Sequence, residues 1–172
     1  MRQPFTTVIG LLAVTSGELA FAAMSCAQAR APQPAAGQAA MPACAASVPA
    51  DLAQRPARWL GGCARGKAEG PGVLRLGTTE PFQFFTGTMK AGRPVRGVLK
   101  VNASQLVAAY AFDQRLEAIV PDGNRPVELD ATFRTGAAGA AAAARRFAAA
   151  GNKASAAYYQ RMAGHYREPP FE

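Results

Sequence analysis

The sequence predicts a mainly β fold with α: a short stack of antiparallel β-hairpins, capped at its C-terminus by a helix or a helix pair. Three observations carry that expectation. Glycines recur at fixed offsets after Trp59, at Gly61, Gly66, Gly70 and Gly72, and the branched apolar pair Val73-Leu74 follows them. From there to Phe133, short runs of alternating apolar and polar residues are separated by turn signals. From Ala137 to Ala150 the chain turns to alanine, the strongest helix former.

The N-terminus has the layout of an export signal. Met1-Arg2 is a short basic start, Val8 to Val14 is an apolar run, and Ala20-Phe21-Ala22 and Ala27-Gln28-Ala29 both fit an A-x-A cleavage site. The run is shorter than the roughly 20 apolar residues of a membrane-spanning helix. Residues 1–29 are therefore expected to be a signal peptide, with a buried N-terminal helix as the alternative. The expected location is the periplasm or cell envelope of a bacterium.

Three cysteines are an odd number for an exported chain. Cleavage after Ala29 removes Cys26 and leaves Cys44 and Cys63 to pair in an oxidising compartment. A bridge closing a loop of about 20 residues adds on the order of 3 kcal/mol. Ala23-Met24-Ser25-Cys26 is a weak lipobox, so an outer-membrane lipoprotein anchored through Cys26 stays open. Residues 30–50 are Pro-, Ala- and Gln-rich without an apolar period and read as a flexible linker, pinned late by Cys44, whose bridge to Cys63 would tie it to the first strand. Asp51-Leu52-Ala53 can open a short helical turn capped by Asp51 and ended before Pro56.

Residues 51–135 are the expected hairpin domain. Trp59, Gly61 and Cys63 share a face by the period of two, Gly66-Lys67 marks a turn, and Gly72 to Leu76 returns. Phe82 to Met89 is the next strand, with Phe85, Gly87 and Met89 on one face. Ala91-Gly92-Arg93-Pro94 turns the chain, and Val95 to Val101 returns. Leu106, Ala108, Tyr110 and Phe112 alternate, and after the turn at Asp113-Gln114 so do Leu116, Ala118 and Val120. Pro121-Asp122-Gly123-Asn124 is a strong turn signal. Val127, Leu129, Ala131 and Phe133, alternating with Glu128, Asp130 and Thr132, read as a last, one-sided strand.

Residues 136–168 are the expected helical cap. Ala137 to Ala150 forms one helix. Gly151-Asn152 interrupts it, Asn152 caps a second helix from Lys153 to about Tyr166, and Pro169-Pro170 ends it. Tyr158, Met162, His165 and Tyr166 fall on one side of that second helix, with Tyr159 at its edge. Phe147, Tyr158, Met162 and Tyr166 are expected to pack on the sheet and cover its open end.

The residues from Trp59 to Leu74 resemble the MORN repeat, aromatic-x-Gly-x-aromatic-x-x-Gly-x-x-x-Gly-x-Gly. Trp59, Gly61, Gly66, Gly70 and Gly72 fall on its positions, and Cys63 replaces the second aromatic. A looser copy at 85–99 matches at Phe85, Gly87, Met89 and Gly92; Arg96 stands at the next glycine position, with Gly97 one step late. The resemblance implies stacked hairpins and contact with a membrane or another protein. Each hairpin of such an array cannot bury its face alone.

No constellation for catalysis emerges. His165 is the sole histidine, so Cys44, Cys63 and His165 would be a three-ligand zinc set with unhelpful spacing. The serines lie in no nucleophile context, and the glycines lack the strand–loop–helix setting of a phosphate loop. Asp113 with Glu117, or Glu128 with Asp130, would be the carboxylate pair of a glycan hydrolase, although turn and strand surface explain them better. No cofactor or metal is expected.

The net charge is +8, unchanged by loss of Arg2 and Glu18 with the signal. It favours an acidic partner. Outside the cytoplasm that means anionic lipid or envelope polymer rather than nucleic acid. Lys90, Arg93, Arg96 and Lys100 are the candidate anion-binding residues, with Arg145-Arg146 as a second basic spot; a solvated charged edge is the plainer alternative. The expected function is that of a non-enzymatic exported envelope protein, a module for binding or scaffolding at an anionic membrane surface or a partner protein. An envelope hydrolase acting on glycan or peptidoglycan, or a subunit of a larger envelope assembly, is the alternative.

Overall fold

A computed structural model describes residues 43–168. The expected signal peptide 1–29, Cys26, the first part of the linker and Pro169-Pro170 lie outside the described residues. Eight strands precede two helices: β1 (Ala57–Trp59), β2 (Gly62–Ala64), β3 (Lys67–Leu76), β4 (Gln83–Lys90), β5 (Arg93–Lys100), β6 (Leu106–Ala109), β7 (Ala111–Phe112), β8 (Ala118–Ile119), α1 (Pro126–Ala149) and α2 (Lys153–Arg167). The main sheet is antiparallel in the order β1-β3-β4-β5-β6, β2 continues β1 along β3, and β7–β8 is a separate small hairpin.

Two tight turns organise the sheet. Arg65-Gly66 joins β2 to β3 and Ala91-Gly92 joins β4 to β5, and all four residues have positive φ. Left-handed conformation at both central positions twists a two-residue turn to match the strands it connects, and glycine in the second position adopts it without strain. Beyond the turns the two hairpins differ. Between Gly62↔Glu69 and Trp59↔Leu74, two residues on one strand face four on β3. Between Lys90↔Arg93 and Phe85↔Leu99, four residues on β4 face five on β5, through a bulge beside Thr88 and Met89. The smaller bulge explains the irregular second repeat. Gly97 lies opposite Gly87, as Gly72 lies against Gly61, so Gly97 is the counterpart of Gly72 rather than of Gly70.

The result is a row of glycines, Gly72↔Gly87↔Gly97, across three strands. On one side the Trp59 ring lies over Gly61 and Gly72; a Cβ on Gly72 would come within 2.6 Å of that ring. The Trp59 Nε1–H donates to Gly62 O at 2.8 Å, which holds the ring flat. On the other side α1 rests on the row: a Cβ on Gly139 would stand 2.6 Å from Gly72 O and 2.7 Å from Gly87 N. The sheet is thus bare at its centre on both faces, so an indole approaches from one side and a helix backbone from the other.

Each face has its own core. One gathers Trp59, Leu74, Leu76, Phe85, Met89 and Leu99, with Leu52 and Phe112 over it; Phe112 meets Phe85 edge-on at 5.6 Å. Its cover comes from β7–β8 and from residues 44–52, so the end of the expected linker is laid on the sheet. Ala45 bridges to Lys67 as a short parallel pair, Ser47 N donates to Gly92 O at 2.7 Å, and Cys44 is bonded to Cys63 with Cα atoms 5.8 Å apart. The other face packs Val73, Phe84 and Val98 under α1 and α2.

Three expectations change. Val127 to Phe133 is the start of α1, not a strand. Alternation over seven residues coincided with a helical stripe, Leu129-Phe133-Ala137-Ala140-Ala144, that continues far beyond it. Phe133 and the three alanines are buried on that stripe, while Val127 is 76% exposed. Pro126 at the first helical position, Glu128 in the first turn and the ion pairs Arg125–Glu128 and Arg134–Asp130 support the helix start. The helix pair covers a face of the sheet rather than its end. Tyr159, at the edge of the expected stripe, is the buried ring and stacks on Phe147 at 5.4 Å, while Tyr158 is 36% exposed and meets Phe84 of the sheet at 6.4 Å. Asn152 caps α2 as expected, accepting from Ser155 N at 3.0 Å.

Candidate functional site

The four basic residues around the second hairpin are not one cluster. Lys90 and Arg93 face each other across the β4–β5 turn. Arg96 donates through Nε to Tyr110 O at 3.2 Å. Lys100 ends β5, roughly 23 Å along the strand from Arg93 at about 3.3 Å per residue. Each end of β5 instead joins cations from elsewhere. At the turn, Arg93 and Lys67 border a notch of about 400 Å³ with Ala45, Ala46 and Ser47. At the far end, Lys100 faces Arg161 of α2, with the His165 ring beside it.

That second site is a cleft of about 420 Å³ between α2 and the β5–β6 connection. Its geometry follows from helical spacing. Tyr158, Met162 and Tyr166 lie four residues apart on the inner side of α2, and Arg161 and His165, also four apart, run along the outer side. Lys100, Ser104 and Leu106 form the opposite wall. Tyr166 is buried beside Val98 and Phe133 and makes the floor. The Thr86 hydroxyl donates to Met162 Sδ at 3.8 Å, which fixes the middle of the inner side.

The tyrosines are neutral phenols. Burial raises Tyr166 to about 12, opposed by a hydrogen bond to Thr86. Burial raises Tyr158 as well; Glu80 adds to the shift and Arg161 opposes it. Glu80 acts on Tyr158 through space but does not line the cleft, and no acidic side chain does. The cleft therefore combines an apolar, aromatic inner side with a cationic rim.

Cys44 and Cys63 are bonded to each other, and no group of three His, Cys, Asp or Glu among the described residues is set to hold a metal. Glu128 and Asp130 are paired with Arg125 and Arg134. Asp113 accepts from Glu117 N at 2.8 Å in the β7–β8 turn, and none of the four carboxylates lines the cleft. Arg145 and Arg146 border a shallow recess with Glu69 and Pro71. Among the repeat residues, Trp59 and Phe85 are buried in the sheet, Gly66 and Gly92 form turns, and Gly61, Gly72 and Gly87 sit in close contacts that a Cβ would obstruct. Gly70 has positive φ with open space around it.

Sequence reasoning placed Tyr158, Met162, His165 and Tyr166 on one side of α2. It missed Arg161, Ser104 and Leu106, and it assigned Lys100 to the wrong neighbours. The i,i+4 pair Arg161–His165 beside an apolar stripe was the available signal. No family model matches the chain, and no curated protein or solved structure matches it.

Proposed function

We propose that this is a non-enzymatic, exported envelope protein that binds an anionic surface, lipid headgroup or envelope polymer, through cations gathered at the two ends of β5. The observation that carries this reading is that those cations are left unneutralised. Among the described residues the ion pairs engage Arg125 and Arg134, whereas Lys67, Lys90, Arg93, Lys100 and Arg161 are in none. Such groups attract polyanions over a Debye length of about 10 Å in 0.1 M salt. Export is supported by the Cys44–Cys63 bond, since disulfides persist in oxidising compartments. Among the described residues no helix is long and apolar enough to cross a membrane. The MORN-like reading of the hairpins is supported by their shared X-Gly turns and by the register that aligns Gly72, Gly87 and Gly97.

Vesicle co-sedimentation tests the reading. The protein is retained by vesicles containing an anionic lipid and not by zwitterionic ones, and retention disappears near 1 M salt, where the screening length is about 3 Å. Lys90→Glu with Arg93→Glu weakens it. Equal retention by both vesicle types, or none, refutes the lipid form of the reading, and the same salt-sensitive pull-down on an anionic envelope fraction decides the polymer form. A protein partner is the second reading, favoured by Val120 and Val127, 54% and 76% exposed on either side of the 121–125 turn.

A further inference from the structure

We infer that the cleft between α2 and the β5–β6 connection is a binding site for a single-chain anionic amphiphile: one apolar body, aliphatic or aromatic, carrying a phosphate-like head. The inference rests on the reading of the protein as an anion-binding envelope module and adds a discrete ligand to it.

The cleft is divided lengthwise by chemistry. Tyr158, Met162 and Leu106 offer apolar surface on the inside, above the Tyr166 floor, and Lys100, Arg161 and His165 stand at the mouth. A ligand lying along α2 would place its apolar body on the first set and its head among the second. Neither half suffices by itself. Apolar burial supplies about 25 cal/mol per Å² whatever the head group is, and it takes a cation to distinguish an anion from a neutral head. Arg161 is exposed, on the outer side of α2 and unneutralised, so its fork is available for a phosphate or a carboxylate. No acid on the lining opposes a negative head.

The volume sets the ligand's size. About 420 Å³ lies near the lower end of the roughly 300–1,000 Å³ usual for small-molecule pockets. It accepts one short chain or one ring system and not the two acyl chains of a membrane lipid. The site is therefore suited to a dispersed amphiphile rather than to a bilayer, which separates it from the surface binding proposed above.

His165 provides the measurement. It is the only histidine, so its imidazole Cε1–H resonance needs no assignment and reports directly from the mouth of the cleft. The full chain with its disulfide intact is titrated with monomeric octyl phosphate, with inorganic phosphate and with octyl glucoside. The expected result is a saturable shift with octyl phosphate, and at least tenfold weaker binding of the other two. Arg161→Gln weakens octyl phosphate at least tenfold, whereas Arg115→Gln, on the distant β7–β8 turn, leaves it unchanged. Both positions are exposed, and an unchanged Tm confirms that each variant is folded. Octyl glucoside binding as well as octyl phosphate overturns the inference, as does inorganic phosphate binding equally well. A His165 shift that follows protein concentration instead overturns it in favour of a second copy of the chain in the cleft. Retention on anionic vesicles without any response to octyl phosphate sinks the cleft site and leaves the surface reading standing. Loss of both refutes both.

Discussion

The two helices lie on the same face of one sheet and meet it in opposite ways. α1 presents Gly136, Gly139, Ala140 and Ala143, and at Gly139 its backbone touches the backbone of β3 and β4. α2 packs on α1 and reaches the sheet with large side chains: Tyr166 to Val98, Met162 to Thr86, Tyr159 into the core around Val73 and Phe84. Small residues bring a helix close and leave no room beneath it. Large ones hold it away, and where the sheet ends at Lys100 the separation opens into the cleft. Side-chain size on two helices of one protein thus decides which lies against the sheet and which stands off it.

The largest expected effect tests how α1 is seated. Phe133→Ala empties a fully enclosed site against Tyr166, whose ring lies 6.2 Å from that of Phe133. It should cost about 3–5 kcal/mol, as buried aromatic truncations do. Val127→Ala, on the same helix but 76% exposed, should change stability by less than about 0.5 kcal/mol. Urea unfolding of both variants checks this. Equal losses would restore the strand reading, in which Val127 and Phe133 share a buried face. Tyr158→Ala, at the edge of the cleft, is expected to lie close to Val127→Ala, because that part of α2 supports little of the core.

These contrasts also explain what the sequence could and could not disclose. Turns built on X-Gly pairs, alternation in β3 to β5 and the Asn152 cap are local, and each was visible in a few consecutive residues. The Val127–Phe133 stretch was misread because seven residues satisfy both periods; only Ala137, Ala140 and Ala144, further along, decide for the helix. The cleft was half legible. The stripe Tyr158-Met162-Tyr166 is written in one helix, but the meeting of Lys100 with Arg161 and His165 depends on α2 ending beside β5, a contact across about 60 residues of sequence that no local pattern encodes. The tie at Cys44 was legible, but the packing of residues 45–50 was hidden for a similar reason: their composition suggests a linker, and backbone hydrogen bonds to Gly66 and Gly92 hold them on the sheet.

A second test uses the buried phenols of α2. Tyr159 and Tyr166 are each raised from 10 to about 12, chiefly by burial. Below pH 10 both states are protonated and their contribution to stability is complete. Above it the unfolded chain ionises while the folded chain keeps its protons, so stability falls as pH rises from 10 through 12, by about 2–3 kcal/mol for each tyrosine. Denaturant midpoints between pH 9 and 12 measure the slope. Tyr159→Phe and Tyr166→Phe should each remove a share of it, and Tyr158→Phe should remove less. An unchanged slope in both variants would mean that α2 stands further from the sheet than the cleft geometry requires.

The smallest and most discriminating test is one methyl group on each helix. Alanine is favoured over glycine inside a helix by about 0.8–1 kcal/mol, and Gly139 and Gly164 are both interior. At Gly164 of α2 nothing lies within 4 Å of the added Cβ, so Gly164→Ala should stabilise by about 0.5–1 kcal/mol. At Gly139 of α1 the Cβ would stand 2.6 Å from Gly72 O and 2.7 Å from Gly87 N. Those atoms belong to the sheet backbone and cannot rotate aside, so the helix must lift off the glycine row. Overpacking of this kind costs about 1–3 kcal/mol, which meets or exceeds the propensity gain, and Gly139→Ala should be neutral to destabilising by about 2 kcal/mol. Opposite signs for the same substitution, read as shifts in thermal midpoint, are the signature of one helix in backbone contact and one held off. If Gly139→Ala stabilises as much as Gly164→Ala, α1 has slack above the sheet, and the closeness that distinguishes it from α2 is lost.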